Sequence, residues 1–296
     1  MFEEFKSVFQ RPNNAHAQLI VINVVIFLAM GVIAVFSAVA GTEWISQIIV
    51  KQFTIPPVFS EYILRPWTII TYAFAHSLSD IFHILFNMLV FYWFGKLFVE
   101  YLGSDKLIAL YVLGALAGGV AYLLVFNGIP YFIERSGFAG MLGASAAVYA
   151  IVAGTAVLMP NYTFYLLFLG PVKIKYIAGF YIVISFLGSV GGNAGGNIAH
   201  LGGALMGFIY IKQLQVGVNW GGWITATLDW LKDLFRAKPK VKVTYRKADA
   251  EPRKRSSGAM KASQEEIDSI LDKISERGYE SLTSDEKEKL FNASKK

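Results

Sequence analysis

The chain has 296 residues, of which 55% are hydrophobic and only 16% are charged, and its mean hydropathy is +0.47. Average domains are roughly 45–50% apolar and about 25% charged, so this composition excludes a disordered chain and disfavours a soluble domain. The absence of Cys excludes a disulfide framework, thiolate catalysis and cysteine-based zinc sites. The sequence therefore predicts a protein that crosses a membrane several times, and most of its net charge of +6 lies in a polar final third.

Six apolar stretches are predicted to be membrane spans within a core at 18–216, which follows an N-terminal segment at 1–17. A helix needs about 20 mostly apolar residues to cross the roughly 30 Å hydrocarbon core. Pro160 and Asn161 separate the fourth span from a short apolar segment at 162–170, and the fifth is short unless it begins before Lys173. The spans are predicted at 19–40, 81–102, 107–126, 143–159, 176–187 and 198–211.

The charges between the spans predict an orientation. An even number of spans places both termini on one side, and the segments on that side carry more Lys and Arg than those opposite. The positive-inside rule then predicts cytoplasmic termini, and we expect a multi-pass protein of the cell membrane, specifically a bacterial inner membrane. The apolar loop at 41–80 is predicted to be interfacial or partly embedded, with Trp44 and Trp67 at the level of the lipid headgroups.

Strongly polar side chains occur in three of the predicted spans, where they are costly and usually mark a functional site. His83 and Asn87 belong to the second span, Ser145 to the fourth and His200 to the sixth. All four fall in the first two turns of spans that run in the same direction, so we expect them about 3–10 Å below the outer surface. Small residues beside Ser145 and His200 predict close packing of the fourth and sixth spans, which would bring these two side chains together.

The chemistry of these four residues favours serine hydrolysis. A serine beside a histidine is the minimal activated nucleophile, because the imidazole takes the hydroxyl proton and later returns it to the leaving group. His83 and Asn87 lie four residues apart on one helical face and can donate hydrogen bonds to an oxyanion. Taken singly, Ser145 could be a packing residue, the His83–Asn87 pair a structural network, and His83 with His200 a proton or ion pathway. A metal site that adds His76 is disfavoured because too few carboxylates share that depth.

In combination these residues resemble the rhomboid family of intramembrane serine proteases. The resemblance covers roughly residues 61–211 and implies an all-α bundle of six transmembrane helices. It implies that Ser145 is the nucleophile and His200 the general base, without a third member. His83, Asn87 and the Ser145 backbone N–H would form the oxyanion hole, and Tyr149 would support the histidine ring. The motifs that carry it are His83-x-x-x-Asn87-Met88, Gly143-Ala144-Ser145-Ala146 and Ala199-His200-x-x-Gly203-x-x-x-Gly207.

The function implied by the resemblance is that of a serine endopeptidase acting on single-span membrane proteins in the lipid bilayer. It would cut transmembrane helices near the outer face through an acyl-enzyme, without metal or cofactor, and the fifth span would move to admit substrate. The alternative is a non-proteolytic rhomboid-like protein that binds or escorts client transmembrane helices. The chain departs from the family pattern at Ala146, where the family often has Gly, and at Thr68, where an Arg usually follows the Trp.

The polar final third is predicted to be a small cytoplasmic helical tail. Residues 217–236 form an amphipathic helix that lies on the membrane or packs on the protein itself. Residues 237–262 form a basic linker that attracts lipid, and nucleic acid is not expected because the linker lacks interleaved aromatic residues. Residues 263–296 form a helical hairpin with capping boxes at Ser263–Glu266 and Thr283–Glu286. The sequence does not indicate the oligomeric state or a partner of this tail.

Overall fold

The computed structural model describes residues 2–134, 136, 140–235 and 264–294, with the side chains of residues 2–5 and 235 excepted. The chain divides into two compact units, Met1–Ala237 and Lys238–Lys296. The predicted basic linker and the capping residue Ser263 lie outside the described residues. The two units are described separately below.

The first unit is mostly helical. Its N-terminal part contains α1 (Phe2–Gln10), α2 (Ala15–Val39), α3 (Glu43–Lys51), α4 (Phe59–Ile63), α5 (Thr68–Thr71) and a 3₁₀ turn (Tyr72–Phe74). The central part contains α6 (Ile81–Leu102), α7 (Ser104–Gly128) and α8 (Pro130–Ile133). The helices α9 (Ser145–Leu158), α10 (Ile174–Gly188), α11 (Ala194–Gln215) and α12 (Gly222–Phe235) follow.

Among the described residues, three helices are long and apolar enough to cross a membrane, namely α2, α6 and α7. The apolar helices α9 and α10 have 14 and 15 residues, and α11 has 22 residues but is less apolar. Helices therefore occupy all six predicted positions, whereas the count of six membrane spans stays a prediction.

A β-hairpin joins α9 to α10, so the prediction of an all-α fold is wrong in this segment. Strand β1 (Thr163–Leu166) pairs antiparallel with β2 (Gly170–Lys173), and Thr163 lies opposite Lys173. Pro160 favours the end of α9 because proline has no backbone N–H to continue a helix. The strands then use the residues that the sequence indicated only as a short apolar segment, and α10 begins at Ile174 rather than earlier.

The centre of the first unit lies where α7, α9 and α11 pack together. Most residues of α9 are buried, including Ala146, Ala147 and Ala150. A Cβ atom added at Gly203 or Gly207 of α11 would collide with the carbonyl oxygens of Ala146 and Ala150. The two helices therefore meet backbone to backbone, which confirms the close packing predicted from their small residues.

The segments before α6 fix the backbone that leads into α9. Ile55 and Met141 form an isolated antiparallel bridge, in which each N–H donates to the other carbonyl at 2.9 and 3.0 Å. The Gly143 N–H donates to the Tyr72 carbonyl at 2.9 Å. Trp44 and Trp67 are exposed, and their position at the level of the headgroups stays a prediction.

The helix α12 is partly packed on the first unit, one of the two arrangements predicted for residues 217–236. Ile224 is buried and Leu228 packs against the core of the first unit. Trp223, Trp230 and Leu234 are exposed on the same helix. The beginning of α12 thus packs on the protein, while much of its apolar stripe remains available to a membrane.

The second unit is a small helical hairpin. It contains α13 (Gln264–Arg277), a 3₁₀ turn (Tyr279–Ser281) and α14 (Ser284–Ala293). The capping box predicted at Thr283 is confirmed, because Thr283 Oγ1 accepts from the Glu286 N–H and the Glu286 carboxylate accepts from the Thr283 N–H. The Lys273 ammonium donates to both carboxylate oxygens of Glu286 at 2.9 Å and joins the two helices.

Candidate active site

Ser145 is the first residue of α9 and follows a sharp change of chain direction. Gly143 has φ of +138°, a region that residues with a side chain rarely adopt. A Cβ atom at Gly143 would also lie 3.4 Å from His83 Cε1 and 3.7 Å from the Ser145 hydroxyl. The glycine therefore allows the backbone to pass beside the His83 ring and to place Ser145 at the beginning of a helix.

The structure places Ser145 in direct contact with His200. The His200 Nε2 atom lies 2.7 Å from Ser145 Oγ, within hydrogen-bond distance. We call these two residues the dyad. The Tyr149 ring lies one turn below Ser145 and stacks on the imidazole, with 4.1 Å between ring centroids and an interplanar angle of 13°. The structure therefore brings together Ser145, His200 and Tyr149, the three residues that the sequence singled out in α9 and α11.

A residue that the sequence reasoning missed, Ser185 of α10, also contacts this group. Its Oγ lies 3.1 Å from His200 Nδ1 and donates to the Tyr149 hydroxyl at 2.9 Å. The Ser185 side chain is fully buried. Ser185 lies within the predicted fifth span. The criterion that selected Ser145, a polar side chain inside an apolar span, would therefore have selected Ser185 as well.

His83 and Asn87 approach the dyad from the first turns of α6. The Asp80 carboxylate caps this helix by accepting from the His83 N–H at 3.1 Å. The Asn87 side-chain amide donates to the His83 carbonyl at 3.0 Å, which leaves its second N–H for another acceptor. Both side chains line a cavity that also contains Ser145 and His200.

His76, in the loop before α6, is buried against the ring of His83. The centroids of the two rings lie 5.6 Å apart in an edge-to-face arrangement, and neither ring nitrogen of His76 has a hydrogen-bond partner among the described residues. Burial, and then the nearby His83, lower the pKa of His76 to about 4, so its ring is neutral at physiological pH. In the described part of the chain, no three His, Asp or Glu side chains are grouped to hold a metal ion.

Two cavities meet at Ser145 and His83. The larger, of about 750 Å³, has polar and apolar walls and is lined by the beginnings of α6, α9 and α11 together with Ser77, Ser79 and Tyr131. We call this end of the bundle the site face. The smaller cavity, of about 310 Å³, lies between α6 and α10 and is lined mainly by apolar and aromatic side chains, among them Phe82, Phe86 and Tyr181. A serine hydroxyl therefore faces both a partly polar cavity and an apolar crevice.

The two departures from the family pattern are both buried, and one of them, Ala146, directly follows Ser145. Ala146 is buried, and its methyl group faces α7, where a Cβ atom at Gly118 would lie 2.5 Å from it. Thr68 is buried and its hydroxyl donates to the Arg65 carbonyl at 2.7 Å. The methyl group of Ala146 is thus accommodated by a glycine of the neighbouring helix.

Two family models match the chain. The model for the Rhomboid domain matches residues 64–215, which include every helix that contributes to the site. A second model, for a family of unknown function (DUF6576), matches residues 259–296 and so includes the hairpin of α13 and α14. The two matched segments fall in the two different compact units.

Curated relatives are similar to about half of the chain. It is 36% identical over 162 residues to RHOMBOID-like protein 12, mitochondrial, of Arabidopsis thaliana, which covers 52% of this chain and 48% of that protein. It is 31% identical over 159 residues to Rhomboid protein 1, mitochondrial, of Saccharomyces cerevisiae, covering 51% and 42%. It is 28% identical over 160 residues to Rhomboid protease GlpG of Haemophilus influenzae, covering 52% and 72%. The matches thus span about half the length of the first two relatives.

These relatives correct the predicted localisation. The Arabidopsis and yeast proteins are both named mitochondrial, which contradicts a bacterial inner membrane and the cytoplasmic assignment of the termini that went with it. The prediction failed because a bias of basic residues determines how helices are oriented across a bilayer and does not indicate which cellular membrane contains them. Association with a membrane is supported.

Proposed function

The chain belongs to the rhomboid family, and from this premise we propose that it is an intramembrane serine endopeptidase. The observation that carries the proposal is the 2.7 Å contact between Ser145 Oγ and His200 Nε2. This contact lies beside a partly polar cavity that opens among the helix beginnings at the site face. A hydroxyl and an imidazole in that arrangement form an activated nucleophile.

The proposed reaction is acyl transfer from a peptide bond to Ser145. As Ser145 Oγ attacks the carbonyl carbon, His200 Nε2 takes the hydroxyl proton and an oxyanion forms. The C–N bond then breaks, His200 returns the proton to the leaving amine, and an ester joins the substrate to Ser145. Water attacks this ester with His200 again as the base, which releases the acid and restores the hydroxyl.

The oxyanion would be held by His83, Asn87 and the backbone N–H of Ser145. The first N–H groups of a helix have no partner within the helix, so the Ser145 N–H is suited to an anionic acceptor. The side chains of His83 and Asn87 line the same cavity as Ser145, and the Asn87 amide has a second N–H in addition to the one it donates to the His83 carbonyl. Preorganised donors of this kind are typically worth about 2.7–4 kcal/mol each in the transition state.

The two cavities suggest separate routes for water and substrate. The larger cavity contains polar side chains and can hold the water that the second half-reaction consumes. The apolar crevice between α6 and α10 suits an unwinding segment of a transmembrane helix. We therefore propose that the chain crosses the bilayer six times, takes single-span membrane proteins as substrates and cuts them near the site face, without metal or cofactor.

The remaining segments of the chain would support this core. Residues 1–17 precede the core at 18–216, and the amphipathic segment at 217–236, which contains α12, would lie along the membrane through its exposed tryptophans. The basic segment at 237–262 would attract anionic lipid and tether the helical hairpin at 263–296.

Cleavage of a single-span reporter in liposomes tests the proposed function. The full-length chain is reconstituted with a reporter whose transmembrane helix has small residues near one end, and the products are identified by mass spectrometry in ¹⁸O-labelled water. We expect wild type to release a fragment with one ¹⁸O atom in its new carboxylate, because water hydrolyses the acyl-enzyme. Ser145→Ala should release none. Ser46→Ala is the matched control, since Ser46 is a half-buried serine of α3 that donates to the Glu43 carbonyl and does not line either cavity of the site.

Two results would contradict the proposal. Equal cleavage by Ser145→Ala would place the chemistry elsewhere. If wild type and Ser145→Ala both bind the reporter and neither releases a fragment, the result would favour the client-binding alternative.

A further inference from the structure

The helix α10 contacts the dyad through a single polar residue. Of its 15 residues, only Ile174, Ala178 and Ser185 are buried, and most of its other large apolar side chains are exposed. Ser185 is the polar member of this buried set, and its two hydrogen bonds go to Tyr149 of α9 and His200 of α11. Three helices are therefore joined at one hydroxyl beside the catalytic imidazole.

These hydrogen bonds differ from those that a buried hydroxyl usually makes in a membrane helix. Serine and threonine commonly donate to a carbonyl one turn earlier in their own helix. Thr155 of α9 does so, since its Oγ1 donates to the Ile151 carbonyl at 2.6 Å. Ser185 instead hydrogen-bonds across to two neighbouring helices, so its contacts are not explained by its own backbone.

The direction of the hydrogen bonds selects one form of the His200 ring. For Nε2 to accept the Ser145 proton, its lone pair must be free and the ring proton must be on Nδ1. Ser185 Oγ lies 3.1 Å from Nδ1, and its own hydrogen is directed to the Tyr149 hydroxyl 2.9 Å away. The lone pairs of Ser185 Oγ are therefore left to accept the Nδ1–H.

We propose that Ser185 is a positioning residue of the dyad, which accepts the Nδ1–H of His200 and holds the lone pair of Nε2 towards Ser145. This inference rests on the proposed function for its catalytic consequence. It assigns to a neutral hydroxyl the place that a carboxylate occupies in a Ser-His-Asp triad. It also joins α10 to the chemistry, because a displacement of α10 away from α11 breaks the contact that orients the ring.

The form of the ring can be measured without reference to catalysis. The full-length chain is labelled with ¹⁵N at its 4 histidines, and the His200 signals are identified by their loss in His200→Asn. Ring nitrogens with and without a proton have distinct ¹⁵N shifts. We expect wild type to carry the His200 proton on Nδ1, and Ser185→Ala to lower the ratio of the Nδ1–H form to the Nε2–H form about 3- to 10-fold, as expected for loss of a neutral hydrogen bond.

Kinetics on the reporter give a second readout. Ser185→Ala should lower kcat about 3- to 10-fold and leave KM within about twofold, because the contact orients the base without touching substrate. Ser185→Thr keeps a hydroxyl and should restore most of kcat. Thr155→Val deletes a buried hydroxyl of the same bundle that lies outside the site, and it should leave both constants unchanged.

The outcomes separate this inference from the proposed function. An unchanged ratio of the two ring forms in Ser185→Ala would overturn the positioning role, whether or not the chain cleaves the reporter. A failure of wild type to cleave the reporter would overturn the proposed function. The ratio of the Nδ1–H and Nε2–H forms of His200 would still test whether Ser185 orients the ring. A lowered kcat in Ser185→Thr equal to that in Ser185→Ala would also count against the inference.

Discussion

The contact between Ser145 and His200 depends on residues that have no polar atoms in their side chains. Gly143 lets the chain turn into α9 beside the His83 ring, and Gly203 lets α11 approach α9 until the two backbones are in contact. His200 then reaches Ser145 from the neighbouring helix at 2.7 Å. The reactive geometry is therefore a consequence of close helix packing as much as of the polar residues themselves.

The stacked Tyr149 ring should stabilise the working orientation of His200. Tyr149→Phe keeps the stacking face and loses the hydroxyl that accepts from Ser185, so we expect kcat to fall only about 2- to 5-fold. Tyr149→Leu removes the aromatic face as well, which is worth about 0.5–1.5 kcal/mol, and should lower kcat about 10-fold or more. Initial rates of reporter cleavage measure both values. Equal rates for the two variants would show that the stacking is irrelevant.

At this scale the sequence singles out Ser145, His200, His83 and Asn87, because strongly polar side chains in apolar spans are few. The structure brings all four to one cavity. Ser185 has the same signal, but its partners depend on how α10 rotates against α9 and α11, which no sequence spacing specifies. The burial of His76 likewise depends on the path of the loop before α6.

Among the elements, α9 and α11 form the contact on which the site depends. Gly203→Ala would direct a methyl group at the Ala146 carbonyl oxygen, so the helices must separate. We expect the free energy of unfolding to fall by about 1–3 kcal/mol, as for other overpacked cores, and reporter cleavage to fall with it. Reversible unfolding in mixed detergent micelles measures the change.

Gly179→Ala is the matched control for this substitution. Gly179 lies in α10, and a Cβ atom there would meet no atom within 4 Å. The free energy of unfolding of Gly179→Ala should be unchanged or slightly higher than that of wild type, because alanine favours a helix more than glycine does. Equal destabilisation by the two substitutions would show that the contact at Gly203 is not limiting.

The elements between the spans were the least predictable. The apolar segment after Pro160 has no strict alternation of apolar and polar residues, so its sequence does not indicate the pairing of β1 with β2. The Ile174 N–H donates to the Tyr162 carbonyl at 2.9 Å and closes the ends of this hairpin. The short helices α3, α4 and α5 were likewise foreseen only as an apolar loop. Their positions follow from contacts such as the Ile55–Met141 bridge, which joins residues distant in sequence.

At the scale of the whole molecule, the chain combines a rhomboid-family unit with a small helical unit that matches a different family. The helical hairpin was predictable from two signals. Thr283 and Glu286 have the spacing of a capping box, and Ile267, Ile270 and Ile274 recur at helical spacing. Among the residues of this unit that the structure describes, the buried side chains are Ile270 and Leu282, which give the hairpin little apolar core. Polar contacts such as the pair between Lys273 and Glu286 therefore weigh more in its stability than they would in a larger unit.

The stability of this second unit should depend on pH through Glu286. Hydrogen bonds from Lys273, and then from Thr283, lower the pKa of Glu286 from 4.5 to about 2. The unfolded state therefore binds more protons between these values, so the stabilisation is present above about pH 4.5 and is lost as the pH falls towards 2. Glu286→Gln should lower the stability of the hairpin at neutral pH and flatten its acid dependence, as followed by amide exchange of α14.

Glu280→Gln is the control for that measurement. Glu280 contacts Lys287 at 3.5 Å at the surface and has no part in the capping box. It should leave the exchange rates of α14 nearly unchanged. An acid dependence in Glu286→Gln as steep as that of wild type would assign the titration to another group.

The central claim is that Ser145 is a nucleophile activated by His200, and labelling with a fluorophosphonate tests it most directly. The probe reacts covalently with an activated serine hydroxyl and does not require a known substrate. Purified wild type, Ser145→Ala, His200→Ala and Ser46→Ala are incubated with the probe and analysed by mass spectrometry. We predict that wild type and Ser46→Ala are labelled on Ser145 and that the other two are not. Labelling of Ser145→Ala to the same extent as wild type would contradict the account.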